Sequence, residues 1–249
     1  PGRPYPMGPI VYPDGVRFTL FSRHATRVWL ALFDSVEDLE PVWEYEMDPA
    51  RHRTGDVWSI FVRGLEEGAL FKYRVDGPFA PEKGFRFNRD VYLLDPYAKA
   101  FVGDVHNGTM KCVAVHDHMD WTDDIRPRIP LRNLVIYETH VKGFTRHPSS
   151  GVTFPGTYAG FIEKIPWLRE LGVNAVELLP TQEMGENYIG RKDPQGQELT
   201  NYWGYSTIGF FAPTGRYAIS ATRMEHLAEF RSLVRALHSA GIEIILDVV

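Results

Sequence analysis

Leu134-Val135-Ile136-Tyr137-Glu138-Thr139-His140-Val141, running directly into Lys142-Gly143-Phe144-Thr145-Arg146-His147, decides the fold. The first eight residues are mostly apolar and lie between Pro130 and Gly143, which suits a strand buried on both faces of a parallel sheet. Residues 157–171 then read as helical, with Phe161, Ile162, Ile165, Leu168 and Leu171 on one side, Gly172 as the stop and Pro166 kinking or splitting the helix. Residues 173–179 form a second buried strand that ends at Pro180. Further on, Thr222 and Glu225 make a capping box, and Leu227, Phe230, Val234 and Leu237 recur at helical spacing up to Gly241. Residues 242–249 form a third buried strand. Strand, helix, strand, helix, strand is the pattern of parallel βα units. A nucleotide-binding, doubly wound sheet should carry a glycine-rich phosphate loop after its first strand. Residues 142–147 contain neither GxGxxG nor GxxxxGK[ST], which favours the start of a (β/α)8 barrel.

Between the second strand and the next helix lie residues 180–222, several times the usual connection of about 4–6 residues. Within it stand Asn201-Tyr202-Trp203-Gly204-Tyr205-Ser206, followed by Ile208-Gly209-Phe210-Phe211-Ala212-Pro213. Three aromatic rings in four residues argue against disorder. Flat aromatic faces stack on the axial C–H bonds of sugar rings, so this loop is the candidate ligand site. The competing reading has Tyr202, Trp203 and Tyr205 simply capping a core. The loop leaves the carboxyl end of its strand, the end at which barrel active sites are built.

Upstream, residues 16–22, 27–33, 57–62 and 70–75 are short runs of branched and aromatic residues with turn signals at Gly64, Gly68 and Asp76-Gly77-Pro78. The first two are expected to pair antiparallel across Arg23-His24-Ala25-Thr26, and the whole to form a β-sandwich of roughly 100 residues. From Pro78 to Arg132 the chain is irregular and rich in Pro, Asp and Arg, and reads as a tether that packs across to the next domain. The expected division is a sandwich over 1–110, a tether over 111–132 and the α/β part over 133–249. Trp29, Trp43 and Trp58 read as core or inter-sheet residues, with a sugar platform as the alternative. His116 and His118 have the i, i+2 spacing of some metal sites, but no cysteine or third histidine stands close by in sequence, so they are read as structural.

The chain has 249 residues, 44% of them hydrophobic, 24% charged and 13% aromatic, with a formal net charge of −5. This balance suits a soluble globular protein with a sizeable core and gives no reason to expect nucleic acid or an anionic membrane as partner. The single cysteine, Cys112, excludes an internal disulfide and is compatible with a reducing compartment. No apolar run of membrane-spanning length and no leader are present, so a cytoplasmic location is expected. Neither a metal nor an organic cofactor is implied.

Val135 to Thr145, Gly156-Thr157-Tyr158 through Val176-Glu177-Leu178-Leu179-Pro180, residues 201–206 and Asp247-Val248-Val249 together resemble the glycogen-debranching and isoamylase branch of the alpha-amylase family, glycoside hydrolase family 13. Gly2-Arg3-Pro4-Tyr5-Pro6-Met7-Gly8 with residues 16–22 resembles the opening of that branch's family 48 carbohydrate-binding module, and Leu94-Asp95-Pro96-Tyr97-Ala98-Lys99-Ala100 its exit. The resemblance runs the whole length in the family's order. It implies a multidomain β plus α/β protein: an amino-terminal antiparallel sandwich, then the first three βα units of an incomplete TIM barrel. It also implies an α-1,6-cleaving hydrolase of glycogen, amylopectin or limit dextrin that works by double displacement. By that resemblance Tyr205 stacks on the sugar in the subsite of the cleaved residue, Trp203 flanks it, Tyr202 and Asn201 complete the substrate-binding stretch, and Asp247 orients its neighbours.

The departures matter as much. The family's aspartate nucleophile, glutamate acid/base and second aspartate come from later strands, and nothing here matches them. Retention needs two carboxyl groups about 5–5.5 Å apart. Glu138, Glu177 and Asp247 are carboxylates on these strands, yet none occupies a matching position, so no catalytic residue is assigned. Three strands of eight close no barrel and leave an exposed edge, so the chain is expected to be an amino-terminal fragment that is inactive alone. The alternatives are a non-catalytic glucan-binding protein, or another family member such as a branching enzyme or a maltooligosyltrehalose hydrolase.

Overall fold

The computed structural model describes residues 3–116, 119–185, 187–220 and 224–249. The chain divides into two compact units, Pro1–Asp117 and His118–Val249.

In the first unit, strands form at Gly15–Phe21, Arg27–Phe33, Val57–Arg63 and Leu70–Asp76, within a residue of where the apolar runs place them. They are divided between two antiparallel sheets. One has the order Ile10–Tyr12, Gly15–Phe21, Val57–Arg63, Arg53–Thr54. The other has the order Phe101–Val102, Lys111–Val113, Leu70–Asp76, Arg27–Phe33, Trp43–Glu46. The expected pairing of the first two runs therefore fails, because Gly15–Phe21 pairs with Val57–Arg63 and Arg27–Phe33 with Leu70–Asp76. The physical reason is that the two sheets share one core between them, to which each contributes rings. Phe18 and Phe71, on different sheets, meet edge to face at 4.8 Å, and both are fully buried.

Lys111–Val113, read from sequence as tether, is a strand of the second sheet. Cys112 and Val113 pair with Phe71 and Leu70 and are fully buried, so their apolar burial outweighs the irregular sequence around them. The three tryptophans build no common platform. Trp58 is buried and donates from Nε1 to Ser22 O at 3.2 Å, and Trp29 lies beneath the guanidinium groups of Arg27 and Arg74 at 4.5 and 5.4 Å. Trp43 departs from the core reading. It sits 40% exposed on an edge strand, stacked on Tyr45 at 5.6 Å. His116 is described, whereas its expected companion His118 lies outside the described residues, as do Gly2, Thr222 of the capping box and Arg223.

The second unit is built on three parallel strands in sequential order: Ile136–Thr139, Ala175–Leu178 and Glu243–Leu246. Their register aligns Tyr137 with Val176 and Ile244, and Thr139 with Leu178 and Leu246. Val176 and Leu178 pack into a core with Phe161, Leu168, Leu233 and Leu237 from the helices, and Tyr137 and Ile244 lie against it. The alternate rung, Glu138, Glu177 and Ile245, points the other way. The expectation of strands buried on both faces is corrected here. Helices cover one face only, so Ile136 is 46% exposed and Glu138 is exposed. Pro166 splits the first crossover helix into Tyr158–Glu163 and Ile165–Leu171, which ends at Gly172 in the left-handed region with φ +86°. The second crossover helix is Glu225–Ser239. The segment before the first strand is bonded to this unit: Asp124 meets His238 Nδ1 at 2.8 Å, and Ile129 N donates to Glu243 Oε1 at 2.8 Å.

The long connection is not irregular throughout. Gln182–Met184 pairs with Thr207–Pro213, and Asn187–Lys192 pairs with Glu198–Thr200, so the aromatic stretch is held between two antiparallel ribbons.

Candidate functional site: an aromatic cleft at the strand ends

Residues 201–206 are pinned from within and from below. Asn201 spends its side chain on the loop itself: Nδ2 donates to Gly185 O at 3.2 Å, and Oδ1 accepts from Gly204 N at 3.1 Å. Gly204 has φ +88°, and a Cβ there would stand 2.8 Å from Met184 Cε and 3.2 Å from Pro180 Cβ. Only glycine makes this turn without strain, and the turn splays the flanking rings. Trp203 and Tyr205 lie 6.4 Å apart at 74°, exposed by 63% and 41%. These two rings present open faces to solvent.

Tyr202 is held differently. Its ring lies flat on the imidazole of His140 at 4.4 Å and 13°, and its backbone oxygen is 2.7 Å from His140 Nε2. One face of Tyr202 is thereby occupied. His140 also accepts from Gly143 N through Nδ1 at 3.0 Å, capping the short helix Val141–Thr145, and its Nε2 lies 3.1 Å from the Tyr217 hydroxyl. Burial lowers the pKa of His140, with Lys142 adding to the effect, and burial raises that of Tyr217.

Asp247 follows the third strand and accepts a short hydrogen bond from the Tyr205 hydroxyl. That bond, followed by desolvation and the negative charges of Asp247, Glu138 and Glu177, pushes the Tyr205 phenol up to about 12. The phenol therefore stays protonated at neutral pH and serves as a donor, not a base. Deeper in, burial raises the pKa of Glu183, partly opposed by Arg216, whose guanidinium is 3.9 Å away.

The aromatic stretch, with Arg191, Leu199 and Thr200 of the neighbouring ribbon, lines a cleft of about 310 Å³. A larger cleft of about 450 Å³ lies in the first unit between Phe21, Tyr73, Phe87 and Leu93, and none of the expected site residues lines it. Among the described residues no group of three or more His, Cys, Asp or Glu side chains could hold a metal ion, and no helix is long and apolar enough to cross a membrane.

Of the expected residues, Trp203, Tyr205 and Asp247 converge on one surface. Asn201 and Tyr202 line the same cleft and also brace it, Asn201 through its bonds to Gly185 and Gly204 and Tyr202 through His140. Sequence reasoning misses His140 and Tyr217. His140 stands inside the motif that decides the fold, and its place immediately after the carboxyl end of a parallel strand is the available signal.

Known proteins share this organisation. Residues 6–98 match carbohydrate-binding module 48, the isoamylase N-terminal domain. All of the chain aligns at 42% identity with 34% of the chloroplastic isoamylase 1 of Arabidopsis thaliana, and at 40% identity with 39% of the glycogen debranching enzyme of Yersinia enterocolitica. Among solved structures, a mutant pullulanase from Paenibacillus barengoltzii complexed with maltotriose superposes with a TM-score of 0.75 and 26% identity, over 98% of this chain and 38% of that one. The chain spans little more than a third of the length of these relatives. The similarity runs through both units and through the aromatic stretch: residues 6–98 carry carbohydrate-binding module 48, and the chain as a whole is similar to isoamylases and glycogen debranching enzymes.

Proposed function

We propose that this chain supplies the glucan-gripping portion of a hydrolase that cleaves α-1,6 branch linkages in glycogen, amylopectin or limit dextrin. The observation that carries the reading is the pair of open rings, Trp203 and Tyr205, at the carboxyl ends of parallel strands, with Tyr205 fixed by Asp247. A sugar ring stacked on Tyr205 meets a phenol whose rotation is locked, so the binding energy is not spent on ordering the side chain. In this reading residues 133–249 are the first three βα units of a TIM barrel, and the face bearing Glu138, Glu177 and Ile245 is turned to its interior.

The chemistry is retaining double displacement. One carboxylate attacks the anomeric carbon while a second carboxylic acid protonates the departing oxygen, and water then releases the glycosyl intermediate. No residue of this chain matches the family positions of those two groups, so the roles assigned here are binding and orientation. A cytoplasmic location forms part of the proposal, supported by the lone buried Cys112.

The test is reducing-sugar release from amylopectin by the protein at its full encoded length, beside Tyr205→Ala and Trp203→Ala. The expected result is debranching activity that falls at least tenfold in Tyr205→Ala, since the apolar contact of a ring covered by sugar is worth about 1.5–3 kcal/mol. Retention on immobilised amylopectin without turnover would support a glucan-binding protein instead.

A further inference from the structure

His140 makes four contacts that together leave its protonation state no freedom. Nδ1 accepts from Gly143 N–H at 3.0 Å, so Nδ1 carries no proton. The proton then sits on Nε2, which donates to the Tyr202 carbonyl at 2.7 Å, with the Tyr217 hydroxyl 3.1 Å away. The ring plane is parallel to that of Tyr202, and Tyr217 closes on its edge at 5.3 Å. A neutral imidazole of a single tautomer thus joins the end of the first parallel strand to the backbone of the aromatic loop. The acceptor it grips is the carbonyl between Tyr202 and Trp203. That peptide's orientation sets where the chain enters the Gly204 turn, and so where Trp203 and Tyr205 point. Gly143 completes the clamp, because a Cβ there would stand 2.8 Å from the Tyr202 hydroxyl.

We infer that His140 is a positioning residue for glucan binding, which sets the attitude of the Trp203 and Tyr205 rings by donating from Nε2 to the Tyr202 carbonyl. The inference rests on the proposed sugar-binding role of those rings. It differs from a helix-capping role, which needs only Nδ1. The two roles can be separated with amide side chains, since Asn places an acceptor close to where Nδ1 stands, and Gln reaches a donor close to where Nε2 stands.

The experiment is calorimetric titration of maltohexaose into the protein at its full encoded length, for the wild type, Tyr205→Ala, His140→Asn and His140→Gln, with the melting temperature of each. Tyr205→Ala defines the share of affinity that this site supplies. The expected result is that His140→Asn melts within a few degrees of wild type yet binds about tenfold more weakly, while His140→Gln recovers affinity to within about threefold despite the lost cap. Wild-type affinity in His140→Asn with loss in His140→Gln overturns the inference in favour of capping. Equal loss in both overturns it in favour of ring packing alone. If Tyr205→Ala itself binds like wild type, the rings carry no sugar and the inference falls with that role, a result distinguishable from the other two.

Discussion

Asp95 offers a sharp test of the packing in the first unit. Its carboxyl is fully buried beside Cys112 and Tyr73. Oδ1 accepts from Tyr97 N at 2.8 Å, Oδ2 has no hydrogen-bond partner, and the backbone N–H donates to Cys112 Sγ at 3.1 Å. Desolvation raises its pKa from 3.8 to about 7, only partly offset by the Tyr97 hydrogen bond. At about 1.4 kcal/mol per pH unit, keeping this group ionised in the native state costs about 4 kcal/mol. A carboxyl whose folded pKa is raised contributes its full stability below the unfolded value near 4 and loses it as pH rises through about 7. Stability should therefore fall between about pH 4 and pH 7 and then level off. Asp95→Asn keeps the acceptor for Tyr97 N and removes the titration. Urea unfolding at pH 4.5 should find variant and wild type alike. At pH 8.5 the variant should be more stable by about 2–4 kcal/mol, several degrees in melting temperature for a protein of this size. An Asp95→Asn variant no more stable than wild type at pH 8.5 would refute the claim that this carboxyl is buried with only partial compensation.

Three further outcomes follow from the geometry. Gly204→Ala forces a side chain into a left-handed conformation and against Met184 and Pro180, so it should lose about 1–3 kcal/mol of stability in thermal unfolding and weaken maltohexaose binding, whereas Gly172→Ala, also left-handed but with nothing within 4 Å, should lose stability only. Leu168→Ala empties a fully buried site between the split helix and the strands and should lose about 3 kcal/mol in urea unfolding; a loss under about 1 kcal/mol would contradict the packing described. Arg74→Lys keeps the charge but loses both the two-pronged grip on Glu44 and the flat cover over Trp29, and should cost about 1 kcal/mol by the same assay.

What the residues disclose, and what they withhold, follows the range of the interactions involved. Strands and helices whose apolar residues recur at a fixed period are legible to within a few residues, as is the break at Pro166, because these depend on neighbours in sequence. The expected pairing of residues 16–22 with 27–33 fails because sheet partners are chosen by the shared core: Phe18 needs Phe71, 53 positions away, more than its neighbour across a short turn. Lys111–Val113 escapes notice for a related reason, since three residues are too few to show alternation and only Phe71 and Leu70 reveal them as a strand. Within the site, the aromatic rings and Asp247 can be named from local pattern and family resemblance. The part played by His140 cannot, because its partner carbonyl is 62 positions away and belongs to the backbone, where side-chain identity leaves no trace.

The three parallel strands explain why one loop can be held so closely. Their register puts Thr139, Leu178 and Leu246 on a single rung, so the residues that follow each strand emerge at the same height. Each strand end then takes hold of the loop at a different point. After the first, His140 holds the Tyr202 carbonyl; beyond the second, Pro180 and Met184 fill the space a side chain at Gly204 would need; after the third, Asp247 holds the Tyr205 hydroxyl. Three anchors on one plane leave the segment between them little freedom to tilt. A slip of one residue in any strand would move its anchor by about 3.3 Å and turn its side chain to the other face. The core-facing rung of Tyr137, Val176 and Ile244 forbids that slip, because it would carry a carboxylate into the helix-facing core on the first or second strand. The apolar pattern that dictates the sheet thus also dictates the height of these anchors, and Asn201, Gly204 and the rings shape the cleft from within the loop.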